Sequence, residues 1–216
     1  MATHRDRIER PSLAVLARAP QAGAAKTRLI PALGPAGAAR LQRRLTLHAL
    51  AVARDAALGK VTLWVTPDGQ QRFFRALRRS CAITLREQSG DDLGARMATA
   101  FAVHGGPLLL IGSDCPALQP EHLAAAAKAL DGGPPGGHDA VFIPAEDGGY
   151  VLVGLRRPQP GLFEGVDWGS GQVMAQTRQR LLSQGLRWLE LPALWDVDRP
   201  EDLPRLATLR GFTAVG

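Results

Sequence analysis

Four apolar residues, Leu108-Leu109-Leu110-Ile111, run without a polar break into Gly112-Ser113-Asp114-Cys115-Pro116. A strand with one face in water alternates apolar and polar residues. An unbroken run therefore predicts a strand covered on both faces, as in a parallel sheet flanked by helices. Gly112 permits close backbone approach, and Pro116 keeps the strand from continuing. Asp114 is thereby delivered to a strand's carboxyl end, where open α/β sheets bind their ligands.

The rest of the chain keeps this rhythm. Short apolar segments at 13–17, 60–66, 82–86, 107–111, 139–143, 150–154 and 186–190 read as strands. Helical patterns read at 69–79, 92–104, 120–130, 170–184 and 200–210. Another amphipathic helix follows Gly34-Pro35, where Ala38, Leu41, Leu45, His48 and Val52 recur at three and four residues; His48 reads as a satisfied histidine at the edge of the core. The stretch 144–149 is too short for a crossover helix, so 139–143 and 150–154 must pair antiparallel and the sheet must be mixed. The segment 131–137, rich in glycine and proline, reads as a loop rather than a domain linker. The expectation is one α/β domain over 13–216 behind a frayed leader, 1–12.

Composition narrows the partners. A net charge of +6 and a pI near 10.3 admit nucleic acid, acidic membrane or a phosphate-rich ligand. Only three basic residues are lysines (Lys26, Lys60 and Lys128), which suits an arginine surplus of genomic origin. The arginines are scattered, and one tyrosine with six phenylalanines offers few stacking platforms, so no nucleic acid is expected. Cys81 and Cys115 cannot form a disulfide framework or a CxxC zinc site; each reads as a small buried hydrophobe. The run 13–17 is too short to span or enter a membrane stably, and a cytoplasmic protein, monomer or homodimer, is expected.

Five segments carry chemistry. The loop Arg18-Ala19-Pro20-Gln21-Ala22-Gly23-Ala24-Ala25-Lys26-Thr27-Arg28 follows the first strand. Its small residues expose backbone N–H groups and its cations suit phosphate, so Ala17, Arg18, Pro20, Gly23, Lys26, Thr27 and Arg28 form a candidate phosphate cradle. It is neither a Walker A loop, which would need glycine where Pro20 and Ala25 stand, nor a dinucleotide fingerprint. Gln88, on a loop after the third strand, has an amide able to read a nucleobase edge, and Asp92 suits either nucleotide binding or a helix N-cap. Glu146-Asp147-Gly148-Gly149-Tyr150 sets two carboxylates before a flexible turn. Asp167-Trp168-Gly169-Ser170 offers an acid, an aromatic face and a hydroxyl for a polar ring, or a turn with Ser170 as N-cap. In Asp196-Val197-Asp198-Arg199-Pro200-Glu201-Asp202, the last two acids are explained by a helix start, whereas Asp196 and Asp198 alternate and face one way.

The K-T-R-L loop, the strand ending G-S-D-C-P, the E-D-G-G-Y run and the terminal D-V-D-x-P-E-D-L together resemble the GT-A glycosyltransferase and nucleotidyltransferase superfamily over about residues 13–208. Within it they are most similar to small bacterial glycosyltransferases first grouped as a domain of unknown function and linked to arsenosugar biosynthesis. The resemblance implies a nucleotide-diphospho-sugar transferase fold: a three-layer α/β/α sandwich with a central mixed, mostly parallel sheet. It implies that Asp114 and Asp198, with Asp196 beside them, hold Mg²⁺ or Mn²⁺, and that Lys26 and Arg28 bind phosphate. Arg18 stands where relatives usually place lysine, and G-S-D-C-P has one acid where many glycosyltransferases have D-x-D. The expected reaction moves a sugar from a nucleotide-diphosphate sugar to a small-molecule acceptor, with Asp147 or Asp167 as base and Glu146, Gly148, Gly149, Tyr150, Trp168 and Ser170 around the acceptor. A nucleotidyltransferase acting on a nucleoside triphosphate is the alternative.

Overall fold

The computed structural model describes residues 10–81, 83–131 and 136–212. Among them seven strands form one sheet: β1 (Ser12–Arg18), β2 (Val61–Thr66), β3 (Thr84–Glu87), β4 (Leu108–Gly112), β5 (Ala140–Pro144), β6 (Tyr150–Leu155) and β7 (Trp188–Glu190). Their order is β3-β2-β1-β4-β6-β5-β7, and all pairs are parallel except those made by β6 with β4 and β5. The expected strands are all present within about two residues, and the short 144–149 connection does turn the chain back on itself. The start of the strand expected at 82–86, most of the leader and part of the 131–137 loop lie outside the described residues.

Helices cover both faces. Leu13 and Val15 of β1 pack on one side with α1 (Ile30–Asp55), α2 (Arg72–Ser80) and α4 (Pro120–Asp131), through residues such as Val52, Phe74 and Leu123. Ala14 and Leu16 point the other way, toward Met97 and Phe101 of α3 (Leu93–His104) and Met174 and Leu181 of α5 (Val173–Ser183). This is the three-layer α/β/α sandwich, and β1 and β4 are buried on both faces as their continuous apolar runs require.

A smaller third cluster positions the site. Leu29, Leu41 and Leu45 pack with Trp195, Val197, Leu206 and Phe212, so the loop after β1 is pressed against the C-terminal segment. The expected helix 200–210 is shorter: a 3₁₀ turn (Pro200–Asp202) leads into α6 (Leu203–Ala207). Residues before Gly34 also belong to α1, which kinks at that glycine, where φ is 66°. Among the described residues no helix is long and apolar enough to cross a membrane.

Candidate active site

The carboxyl ends of β1, β2 and β4 open into a cleft of about 590 Å³. Gly112 lies on its wall, and a Cβ there would meet nothing within 4 Å, so the end of β4 leaves room for a ligand. Ala17, Arg18, Lys26, Thr27, Arg28, Gln88, Asp114, Asp147, Gly149, Tyr150, Trp168, Ser170, Asp196 and Asp198 all line this space. Residues spread over 180 positions of sequence are thus gathered by the sheet's end and by the packing of Leu29 on Val197.

The phosphate loop and the acids meet directly. Lys26 takes a left-handed backbone conformation (φ 47°) ahead of the 3₁₀ turn Thr27–Leu29. Its side chain is 4% exposed, and its ammonium lies 3.0 Å from Asp114 Oδ2 while donating to the Val197 carbonyl. Arg28, two residues after Lys26, pairs with Asp198, the residue after Val197. The Val197 N–H donates to the Asp114 carbonyl (2.9 Å), which fixes the C-terminal segment to the end of β4. Val197 itself is fully buried, so Asp196 and Asp198 on either side of it face the cleft, as alternation requires.

Asp114 is also oriented from behind. Buried Gln42 of α1 donates to Ser113 Oγ (3.0 Å), and that hydroxyl donates to Asp114 Oδ1 (3.2 Å). Burial, then repulsion by Asp147, raises the Asp196 carboxyl to about 6, against a favourable contribution from Lys26. Cys115 is buried beside these acids and its thiol is pushed up to about 12, chiefly by desolvation, which suits a small packed side chain rather than a nucleophile. His48 bonds the Leu118 carbonyl (3.1 Å), and burial lowers its pKa, the satisfied histidine expected.

Several expected residues stand elsewhere. Pro20, Gly23, Asp92, Glu146, Gly148 and Asp167 are not part of the cleft wall. Asp92 caps α3, accepting from the Ala95 N–H at 2.7 Å. Glu146 turns away to a two-bond pair with Arg205 (2.7 and 3.0 Å), whose guanidinium lies over the Trp195 ring. Gly148 (φ 92°) packs so tightly on the next turn that a Cβ would come within 2.2 Å of the Gly171 carbonyl. Asp147 and Asp167 are both exposed, but of the two acids named as base only Asp147 lines the cleft. Ser170 is not an N-cap: α5 begins at Val173, and the Ser170 hydroxyl bonds back to the Asp167 carbonyl (2.7 Å). Gln88 is half-buried rather than exposed, and its amide nitrogen is spent on the carbonyls of Trp64 (2.9 Å) and Ala17 (3.3 Å).

The far end of the cleft is aromatic. Tyr150 meets Trp168 edge to face, with centroids 6.3 Å apart, and Trp168 Nε1 is enclosed without a hydrogen-bond partner among the described residues. Leu93, Arg96 and Met97 of α3 complete that wall, Arg96 donating to the Gly90 carbonyl (3.1 Å). Sequence reasoning missed Gln42, the relay role of Ser113, and Arg96. The one available signal was Gln42, a polar residue within the buried stripe of α1.

The acids also bear on metal binding. Among the described residues no group of three His, Cys, Asp or Glu is arranged to hold a metal ion. Asp114 and Asp198 are nevertheless partly exposed carboxylates on one cleft. Such a pair fits a hard cation that keeps several waters and takes its remaining ligands from substrate phosphate, as Mg²⁺ does.

Known proteins share this fold. A family model described as an uncharacterized protein conserved in bacteria (DUF2064) matches residues 49–170. A candidate nucleotide-diphospho-sugar transferase from Desulfovibrio desulfuricans G20 is 28% identical, with 94% of this chain and 90% of that one covered at a TM-score of 0.80. A cytidylyltransferase from Leptospira borgpetersenii shares the fold at 14% identity (TM-score 0.58; 95% and 92% covered). So does a Mycobacterium tuberculosis H37Rv protein in complex with manganese (16% identity, TM-score 0.50). That superposition covers 91% of this chain and 97% of the other. No curated protein matches the sequence.

Proposed function

Because the chain belongs to the DUF2064 family, whose fold it shares with a candidate nucleotide-diphospho-sugar transferase, we propose that it is a transferase acting on a nucleotide-diphosphate sugar. The observation that carries this reading is the cleft itself. It gathers Arg18, Lys26 and Arg28 together with Asp114, Asp147, Asp196 and Asp198, Lys26 and Arg28 in direct contact with Asp114 and Asp198, and it also takes in the aromatic rings of Tyr150 and Trp168.

Each part has a task in glycosyl transfer. Lys26 and Arg28 sit on the loop after β1, where they neutralise charge that grows on a departing nucleoside diphosphate. Asp114, held by the Ser113 and Gln42 relay, and Asp198 are the residues that hold Mg²⁺ or Mn²⁺. When bound, that cation supplies further charge stabilisation to the diphosphate. Gln88 keeps an amide oxygen free of partners among the described residues, aimed where β1 and β2 end, and this suits a nucleobase edge. Asp147 takes the proton of the acceptor hydroxyl, and Tyr150, Trp168 and Ser170 bound the acceptor's space. The acceptor is a small molecule, since an enclosed aromatic end suits a ring or an aliphatic body better than a polymer surface.

A thermal-shift panel tests the reading: sugar conjugates of UDP, GDP, CDP, dTDP and ADP beside the nucleoside triphosphates, each with Mn²⁺ or with EDTA. Stabilisation by one class of nucleotide-diphosphate sugar in Mn²⁺ is the expected result. Stabilisation by a triphosphate alone would instead make the protein a nucleotidyltransferase, which releases pyrophosphate.

A further inference from the structure

Both cations proposed to bind phosphate are already spent on the two acids proposed to bind metal. Lys26 pairs with Asp114 and Arg28 with Asp198, so the loop after β1 and the C-terminal segment neutralise one another. The pairing is built in rather than incidental at Lys26. Its side chain is 4% exposed, its ammonium is also bonded to the Val197 carbonyl, and its backbone holds a left-handed conformation that costs a non-glycine residue energy. Asp114 is held in turn by the Ser113 hydroxyl, so it cannot simply rotate away from Lys26.

We infer that metal and nucleotide enter this site together by exchanging ion-pair partners. This inference rests on the transferase reading above. A divalent cation arriving alone must compete with the ammonium of Lys26 for Asp114 and with the guanidinium of Arg28 for Asp198. A diphosphate arriving alone must draw those same cations from their carboxylates. Arriving together, the two let each acid trade its side-chain cation for the metal while each basic group trades its carboxylate for a phosphate oxygen. Lys26, Arg28, Asp114 and Asp198 then each have an oppositely charged partner both before and after the exchange, and the burial of Lys26 raises the cost of the alternatives. Metal and nucleotide affinities are therefore coupled, and by linkage each raises the other by the same factor. The shared apolar cluster that contains Leu29 and Val197 ties the two segments together independently of the ion pairs.

Calorimetric titration of Mn²⁺ tests this, on the wild-type protein, Lys26→Met and Arg28→Gln, each alone and with UDP, GDP, CDP, dTDP and ADP in turn. The wild-type protein is expected to bind Mn²⁺ weakly alone and at least about tenfold more tightly with its nucleoside diphosphate, a coupling of ordinary size. Each variant, having freed one acid, is expected to bind Mn²⁺ alone about tenfold more tightly than wild type while losing nucleotide affinity. Arg28 is exposed, so Arg28→Gln keeps the test open should Lys26→Met fail to fold. Unchanged or weaker Mn²⁺ binding in the variants would overturn the exchange while leaving the transferase reading intact. Failure of every nucleoside diphosphate to bind would overturn the transferase reading instead.

Discussion

Burial and the charge of Asp147 hold the Asp196 carboxyl near 6, above the ordinary carboxylate range, so folding disfavours its ionised form. The sign of the effect follows. Well below pH 3.8 the group is protonated in both folded and unfolded chains and costs nothing; the cost grows as pH rises from about 4 to 6 and is complete above that. Asp196→Asn should therefore stabilise the ligand-free protein by about 1–2 kcal/mol at pH 8, after discounting for partial exposure, and by close to nothing at about pH 3. Urea unfolding at the two pH values measures this directly, and an equal effect at both would refute the assignment. Asp114, by contrast, is proposed as a functional acid: Asp114→Asn should cut turnover at least about a hundredfold, and because it strips the buried Lys26 ammonium of its carboxylate it should also lower the midpoint of thermal unfolding. At this scale the sequence revealed the residues placed by chain geometry. Asp114 stands where a buried strand ends, and Asp196 and Asp198 flank an apolar residue in an extended segment. Gln42 and Arg96 were hidden, because a polar side chain on a helix shows no direction until the helix is docked.

Among elements, the central strands were legible because their burial on both faces writes continuous apolar runs, and the starts of α3 and α4 were legible too, whereas α2 and α5 begin three residues later than expected. At α5 the turn 167–172 uses Ser170 and Gln176 to bond backbone groups of Asp167, so the chain tightens into a turn before the helix begins. The turn 145–149 was expected to bend toward a ligand; Asp147 and Gly149 do line the cleft, whereas Gly148 serves packing, its carbonyl accepting the N–H of Met174 in α5. A second glycine governs the cleft wall. A Cβ on Gly94 of α3 would stand 2.6 Å from both the Phe163 carbonyl and Trp168 Nε1. Gly94→Ala should therefore displace the indole, destabilise the fold by about 1–3 kcal/mol, and weaken acceptor binding more than nucleotide binding. Chemical denaturation and separate titrations of donor and acceptor distinguish the two effects; equal losses would place Trp168 outside the acceptor site.

The molecule as a whole depends on the small third cluster. Trp195, Val197, Leu206 and Phe212 come from the last stretch of the chain, yet they cover Leu29, Leu41 and Leu45 behind the phosphate loop. A chain ending at residue 193 should keep the sheet, whose last strand ends at Glu190, but lose both C-terminal acids and expose that apolar surface. Its unfolding temperature should fall by on the order of 10 °C, with nucleotide binding lost. This closure was legible only in part. The acidic cluster announced a ligand site, whereas its contact with the first loop depends on packing that joins segments some 170 residues apart. The central claim is that nucleotide binds where those segments meet. Calorimetry of the preferred nucleotide-diphosphate sugar with Mn²⁺, on wild type and Asp114→Asn, tests it most directly. The account predicts saturable binding to the wild type that falls at least about tenfold in the variant; equal binding to both would contradict it.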